Sequence, residues 1–329
     1  MSTDWLYLFS AFGGGILGSA VGAFPAFLLC GVSIVAGGIL SMIIGDQSFN
    51  QLVTWGPFLG PHVAFAGGAA YAAKQGKLNS GRNIVIPMAG LKDPFILLIG
   101  GFFGVLGLVF AWGASQIPDL KGIPMANPIA LSIVVNTMII RLVFDKTGLL
   151  GKSKGEKSRW LPDEPDTGFP WYLSPALLIV LSIGICFPVA YISSIKPDTD
   201  SILFGISVLA LAFLVFGLKV PIIFHLVLAT QLGASASGNV WWGLTFGILT
   251  AFLTEIFACL FLFHGDTHID PPAMALSVVF TFYPVLAYIG IMQIPGIWPF
   301  LITVVFISMV WLVLNRISWT LERGMVYGL

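Results

Sequence analysis

The sequence predicts an all-α polytopic membrane protein of about 10–11 transmembrane helices in two related halves, with broken or re-entrant helices. Three observations predict it. Of the 329 residues, 57% are hydrophobic and only 9% are charged, with a mean hydropathy of +0.96. A soluble domain carries about 25% charged residues, so this chain cannot cover a water-facing surface. Apolar runs of about 20 residues, the length that crosses a bilayer, recur from end to end. Similar stretches also recur in the two parts of the chain. The short alternating strands of a β-barrel are not seen.

Eleven candidate spans can be marked: 5–23, 25–45, 52–73, 94–117, 127–144, 171–194, 201–218, 220–235, 240–263, 271–291 and 296–317. The third contains Pro61 and Gly67-Gly68 and is weakly apolar, and the eighth is short. Either reads as re-entrant or broken, a form tolerated only inside protein or beside a water-filled cavity. In the first span Gly14, Gly18 and Gly22 follow at i, i+4 and i+8. That small-residue face suits close helix packing, within the chain or in a homo-oligomer.

The N-terminus lacks a basic region and a clean cleavage site, so no cleaved signal peptide is expected. Cys30, Cys186 and Cys259 lie inside apolar runs and read as buried small hydrophobes. Basic residues gather at 74–93 (Lys74, Lys77, Arg82, Lys92), at 145–170 and in the tail (Arg316, Arg323). If all eleven spans cross, these segments share one side. The positive-inside rule then places the N-terminus outside and the C-terminus in the cytoplasm of a plasma (inner) membrane. The segment 146–170, charged and proline-bearing, reads as a linker between a first repeat at 1–145 and a second at 171–329. Most tryptophans, Trp55 and Trp242 among them, flank spans and read as an interfacial belt. Arg141, near the end of its run, reads as a side chain snorkelling to the interface.

The repeat is carried by FGVLGLVFAWGASQIPDLKGIPMANPIALSIVV at 103–135 and FGILTAFLTEIFACLFLFHGDTHIDPPAMALSVV at 246–279. With five crossings in each half the repeats are inverted. If the two suspect spans re-enter, the repeats are parallel. Inverted repeats with broken helices and a midplane site are a transporter architecture.

Both repeat segments end in a proline-led helix start, ANPIALSIVV (126–135) and DPPAMALSVV (270–279). Asn127 and Asp270 are good N-caps, with proline at the first helical position. Two such helix ends could face one central cavity. The pair resembles in logic the Asn-Pro-Ala half-helices of aquaporins, although the second copy reads Asp-Pro-Pro and the hydropathy differs. DPPAMA is also similar, over fewer than ten residues, to the proline-pair motif of HPP-family membrane proteins, and no function is inferred from it.

Just upstream, HGDTHID (264–270) alternates His264, Asp266, His268 and Asp270 at period two. In an extended segment these four side chains share one edge. They suit a proton relay, a metal site (His264, Asp266 and His268 if any), or merely a capped loop. Glu255, mid-span, is an ionisable group in a costly place and so a candidate for function. His62 and His225 fall in the two suspect spans. Gln231, Asn136, Ser132, Ser277 and Thr254 are further candidates for lining a polar path.

These features point to a transporter or channel for a small solute or ion, with a cation, proton-coupled or neutral solute favoured. The candidate substrate- or ion-binding residues are His264, Asp266, His268, Asp270, Glu255, His225, His62 and Asn127. One alternative is a membrane-embedded enzyme or metal-binding protein using the His/Asp cluster. Another is a structural or cofactor-binding subunit with His62 or His225 as axial ligands. No Walker motif appears, the sequence requires no cofactor, and the expected partners are the bilayer and the solute, with no nucleic acid.

Overall fold

A computed structural model describes residues 5–74, 82–87, 89–145, 147–152, 175–218 and 220–327. Most of the linker 146–170 lies outside them, and with it Lys146, Lys154, Lys157 and Arg159 of the basic residues that argue for orientation; Lys77 also lies outside. Among the described residues the chain is helical, with no strand. The first half contains α1 (Trp5–Val21), α2 (Ala23–Ile44), α3 (Ala64–Lys74), α4 (Pro94–Ala114) and α5 (Pro128–Phe144). The second contains α6 (Pro175–Ile195), α7 (Asp200–Leu209), α8 (Leu211–Val215), α9 (Phe224–Ser237), α10 (Val240–Phe257) and α11 (Pro271–Tyr288). A final helix, α12 (Trp298–Tyr327), packs on α10 and α6.

Among the described residues six helical stretches are long and apolar enough to cross a membrane: Ala23–Ile44, Pro94–Ala114, Ala176–Ile195, Pro197–Val215, Val240–Leu262 and Pro271–Tyr288. Three more, Trp5–Val21, Pro128–Phe144 and Trp298–Leu314, are apolar but shorter. The two suspect spans are the least regular. The first is a π-turn at Asn50–Thr54, an irregular stretch through Pro57 and Pro61, and then α3. The second has non-helical backbone up to Ile223 and then α9. With 11 and 14 residues, these helices rise only about 16 and 21 Å at 1.5 Å per residue, short of a hydrocarbon core of about 30 Å. Residues 59–63 of the irregular stretch are buried in protein, the condition under which such backbone is tolerated at membrane depth.

Helix starts obey local chemistry. The side chains of Asp93, Asn127, Asn239 and Asp270 each accept a backbone N–H at the start of α4, α5, α10 and α11. Proline occupies the first helical position in α4, α5 and α11, where its missing N–H costs nothing.

In the first half α4 packs on α1, α3 and α5, and α3 packs on α1, α2 and α5. In the second half α10 packs on α6, α9 and α11, and α9 packs on α6, α7 and α11. The halves meet where α2 packs on α7 and α5 on α11.

The glycine face of α1 is used inside the chain. A Cβ at Gly14 would strike the Phe58 carbonyl, and one at Gly18 the Ala64 carbonyl. Gly22, at φ +94°, lies against the Val85 carbonyl. That face is therefore filled by residues 57–64 and 85, and it is not available to a second copy. The three cysteines are free and buried.

Candidate functional site

A cavity of about 280 Å³ lies between the two halves. Its polar lining comes from Asn127 and Asp270, the N-caps of α5 and α11. Its wall is largely aromatic: Phe27, Trp55, Phe65, Phe204, Phe224 and Phe280. Phe27 contacts Phe224 edge to face at 5.0 Å and Phe65 at 6.2 Å, so these rings form one continuous surface. Trp55 stacks on Phe204 at 5.9 Å. A second hollow of about 290 Å³ shares Trp55, Phe204, Leu228 and Phe280 with the first and continues to Asp200, Gln231 and Ser235. The two lie in series, with the shared aromatic residues between them.

Asp270 does three jobs at once. Its Oδ2 accepts the Ala273 N–H at 2.9 Å, which caps α11. Its Oδ1 lies 3.2 Å from His268 Nε2, within hydrogen-bonding distance. The carboxyl group also lines the cavity. The His268 ring rests edge to face on Phe65 at 5.9 Å. His268 therefore stands behind both a charged and an aromatic wall residue.

The rest of HGDTHID is organised differently from an extended edge. The chain turns through 263–266, and His264, His268 and Asp270 are buried while Asp266 is exposed. The cause is Arg141. It does not snorkel: it is fully buried and serves acceptors on three segments. It donates to Thr267 Oγ1 at 2.9 Å, to the Thr267 carbonyl, to Phe261 O at 2.5 Å and to Leu149 O at 3.0 Å, and lies 3.6 Å from Asp145 Oδ2. A guanidinium has five donors in a fixed fork, so drawing in carbonyls is its route to satisfaction away from water. Gly265 makes room, since a Cβ there would run into the guanidinium.

Asp145 completes the clasp by accepting the Asp266 N–H at 2.9 Å. Burial pushes its carboxyl pKa up. Hydrogen bonds from the Thr147 hydroxyl and amide and the Asp266 amide, with the Arg141 charge, outweigh this and hold it below the usual carboxylate range. Arg82 adds a bond to Phe263 O at 2.6 Å. The motif's ionisable density thus has two uses: Asp270 and His268 face the cavity wall, while the turn before them is tied to the first half. Among the described residues no group of three or more His, Cys, Asp or Glu is placed to hold a metal ion.

The other candidates stand apart from the cavity lining. His62 and His225 are buried one residue away from the lining residues Pro61 and Phe224. His62 Nδ1 and both ring nitrogens of His225 have no hydrogen-bond partner among the described residues. Glu255 is buried in α10. Ser132 and Asn136 do not line the cavity: they donate to the Gly107 and Phe103 carbonyls at 2.6 and 2.9 Å and bind α5 to α4. Thr254 and Ser277 donate to carbonyls one turn back in their own helices, the local bonding that hydroxyls adopt in apolar surroundings. Gln231 lines the second hollow and donates to Asp200 O at 2.8 Å. Trp55 and Trp242, expected in an interfacial belt, face protein. Trp55 lines the cavity, and Trp242 is buried with its Nε1 donating to Ile294 O at 3.3 Å.

Of the sequence candidates, Asn127 and Asp270 line the cavity and His268 adjoins Asp270, while the aromatic wall was not among them. Its residues come from five helices and a turn, at no spacing that marks them. The one available signal was Trp55, which stands beside Gly56-Pro57 in an interrupted span.

The fold is that of a helical membrane protein with a cavity between its halves. The chain belongs to a family of unknown function, DUF7973, whose sequence model matches it twice, at residues 1–167 and again at 160–301. Comparison with curated proteins and with solved structures finds no match.

Proposed function

We propose that the protein carries a small solute across the membrane through a central site between two inverted repeats. The observation that carries this reading is the cavity lined by one N-cap from each half, Asn127 and Asp270. The second hollow beyond Trp55 and Phe204 supplies a continuation of the path. A volume near 280 Å³ lies at the small end of ligand pockets, which run from about 300 to 1,000 Å³.

Two further observations support the repeat. The helix pairings of the first half recur in the second, with α6, α7, α9, α10 and α11 in the places of α1 to α5. One family model also matches both parts of the chain. With α3 and α9 counted with their irregular leads, each half crosses five times and the halves are inverted. The basic segments then put the N-terminus outside and the C-terminus in the cytoplasm of a plasma (inner) membrane. Asn127 and Asp270 form the polar part of the site, His268 orients Asp270, and His62 and His225 adjoin its wall.

Substituted-cysteine accessibility tests the path without knowledge of the solute. In a variant whose three native cysteines are replaced by alanine, Ala273→Cys reacts with a membrane-impermeant thiol reagent in sealed vesicles. Ile140→Cys, at a fully buried position, does not. Unreactive Ala273→Cys from both faces, beside reactive Asp200→Cys in the second hollow, would reduce the cavity to a sealed void.

A further inference from the structure

The chemistry of the cavity narrows the solute beyond its size, on the reading that the cavity is the solute site. Helix N-termini ordinarily attract anions through unpaired N–H groups. These two have committed most of theirs. In α11, Pro271 and Pro272 have no N–H, Ala273 donates to Asp270 Oδ2 at 2.9 Å, and Met274 donates to Asp270 O at 3.2 Å. In α5, Pro128 has none, Ala130 donates to Asn127 Oδ1 and Leu131 to Asn127 O, each at 3.0 Å. The Ile129 amide is one donor set against a full carboxylate charge.

Among the described residues no lysine or arginine lines the cavity. A bare or hydrated inorganic cation is also poorly served. Selectivity for such ions needs rings of oxygens that replace a hydration shell, and among the described residues the oxygen-bearing side chains of the lining are Asn127 and Asp270. Six aromatic residues surround that one carboxylate. Aromatic faces attract cations whose charge is spread over alkyl groups, and such cations lose little on leaving water.

We propose that the cavity binds a small organic cation of the quaternary-ammonium class, caged by the aromatic wall and paired with Asp270. Asp270 supplies the charge and His268 holds it toward the chamber. The contiguous rings of Phe27, Phe65 and Phe224 and the stacked pair Trp55 and Phe204 supply cation–π contact.

The test is titration calorimetry on the full-length purified protein with three probes of one shape: choline, its neutral tert-butyl carbon isostere, and the matching tert-butyl carboxylate. Choline binds saturably, the neutral isostere roughly tenfold or more weakly, and the carboxylate not at all. Asp270→Asn keeps an N-cap residue, so the melting temperature holds while choline affinity falls roughly tenfold or more. Phe204→Leu also lowers choline affinity and leaves the neutral isostere nearly unchanged. Equal binding of choline and its isostere, tighter binding of the carboxylate, or no saturable choline binding to folded protein would each overturn the assignment. The accessibility test separates the two levels. If Ala273→Cys is reactive and choline fails, the cation class alone is wrong. If Ala273→Cys is unreactive, the solute site itself is wrong.

Discussion

Replacing Arg141 by Met removes the clasp that ties the turn at 261–267 to α5. The side chain is fully buried and donates to Thr267 Oγ1, the Thr267 carbonyl, Phe261 O and Leu149 O, beside the Asp145 carboxylate. Hydrogen bonds to a charged group contribute about 1.5–3 kcal/mol each. They are not additive, and stranding a buried partner costs about 3–5 kcal/mol in total. We therefore expect Arg141→Met to destabilise the protein by about 3–5 kcal/mol. Arg141→Lys recovers little, because one ammonium cannot reach three carbonyls spread over the 261–267 turn and Leu149. Gly265→Ala gives the sharper test, since its new Cβ would collide with the guanidinium. It is costly in the wild type and much cheaper beside Arg141→Met, where a flexible thioether can yield. A double-mutant cycle, read by reversible unfolding in mixed micelles, should return a coupling of about 1 kcal/mol or more. Additive effects within about 0.5 kcal/mol would refute the assignment of Gly265 as the space for Arg141.

Two further predictions concern charge and packing. The Asp145 carboxyl pKa is lowered by folding, so its contribution to stability is present above the unfolded value of about 3.9 and is lost as pH falls through the lower folded value. The melting-temperature gap between wild type and Asp145→Asn should be steady from about pH 8 to 5 and close below about pH 4; a gap that widens in acid contradicts this. On α1, Gly18→Ala meets the Ala64 carbonyl while Gly13→Ala meets open space. Thermal unfolding should show the first destabilised by about 1–3 kcal/mol and the second neutral or stabilised by up to about 1 kcal/mol; similar effects at both positions would contradict the packing of α1.

Much of the helical layout is legible in the sequence because apolar length and proline-led caps are local signals. The eleven candidate spans correspond to six long apolar stretches, three shorter apolar helices and the two interrupted segments. Pro61 and the shortness of 220–235 mark those interruptions directly. The caps at Asn127 and Asp270 form because Asx-Pro is chemistry confined to four residues.

What required three dimensions is the identity of neighbours. Arg141 reads from sequence as a helix-end cation bound for the interface. Only the arrival of the 261–267 turn, 120 residues or more away in the chain, gives it enough acceptors to stay buried. Period two in HGDTHID suggests one edge, but the carbonyls that Arg141 draws in bend the chain and turn Asp266 outward. The glycine face of α1 announces close packing without naming the partner, which is the irregular lead into α3. The aromatic wall is invisible because each ring is ordinary in its own helix.

The central claim is that the two halves are inverted, and loop topology tests it most directly. Asp46, after α2, and Asp198, after α6, are both exposed. Four helices, α3 to α6, separate them if α3 crosses, and three if it re-enters. Cysteines introduced singly as Asp46→Cys and Asp198→Cys, in the background without native cysteines, are labelled with an impermeant maleimide in intact cells and after permeabilisation. Inverted halves with the N-terminus outside predict that both react in intact cells. Reaction of one in intact cells and of the other only after permeabilisation would make α3 re-entrant, the halves parallel, and a central site between inverted repeats wrong.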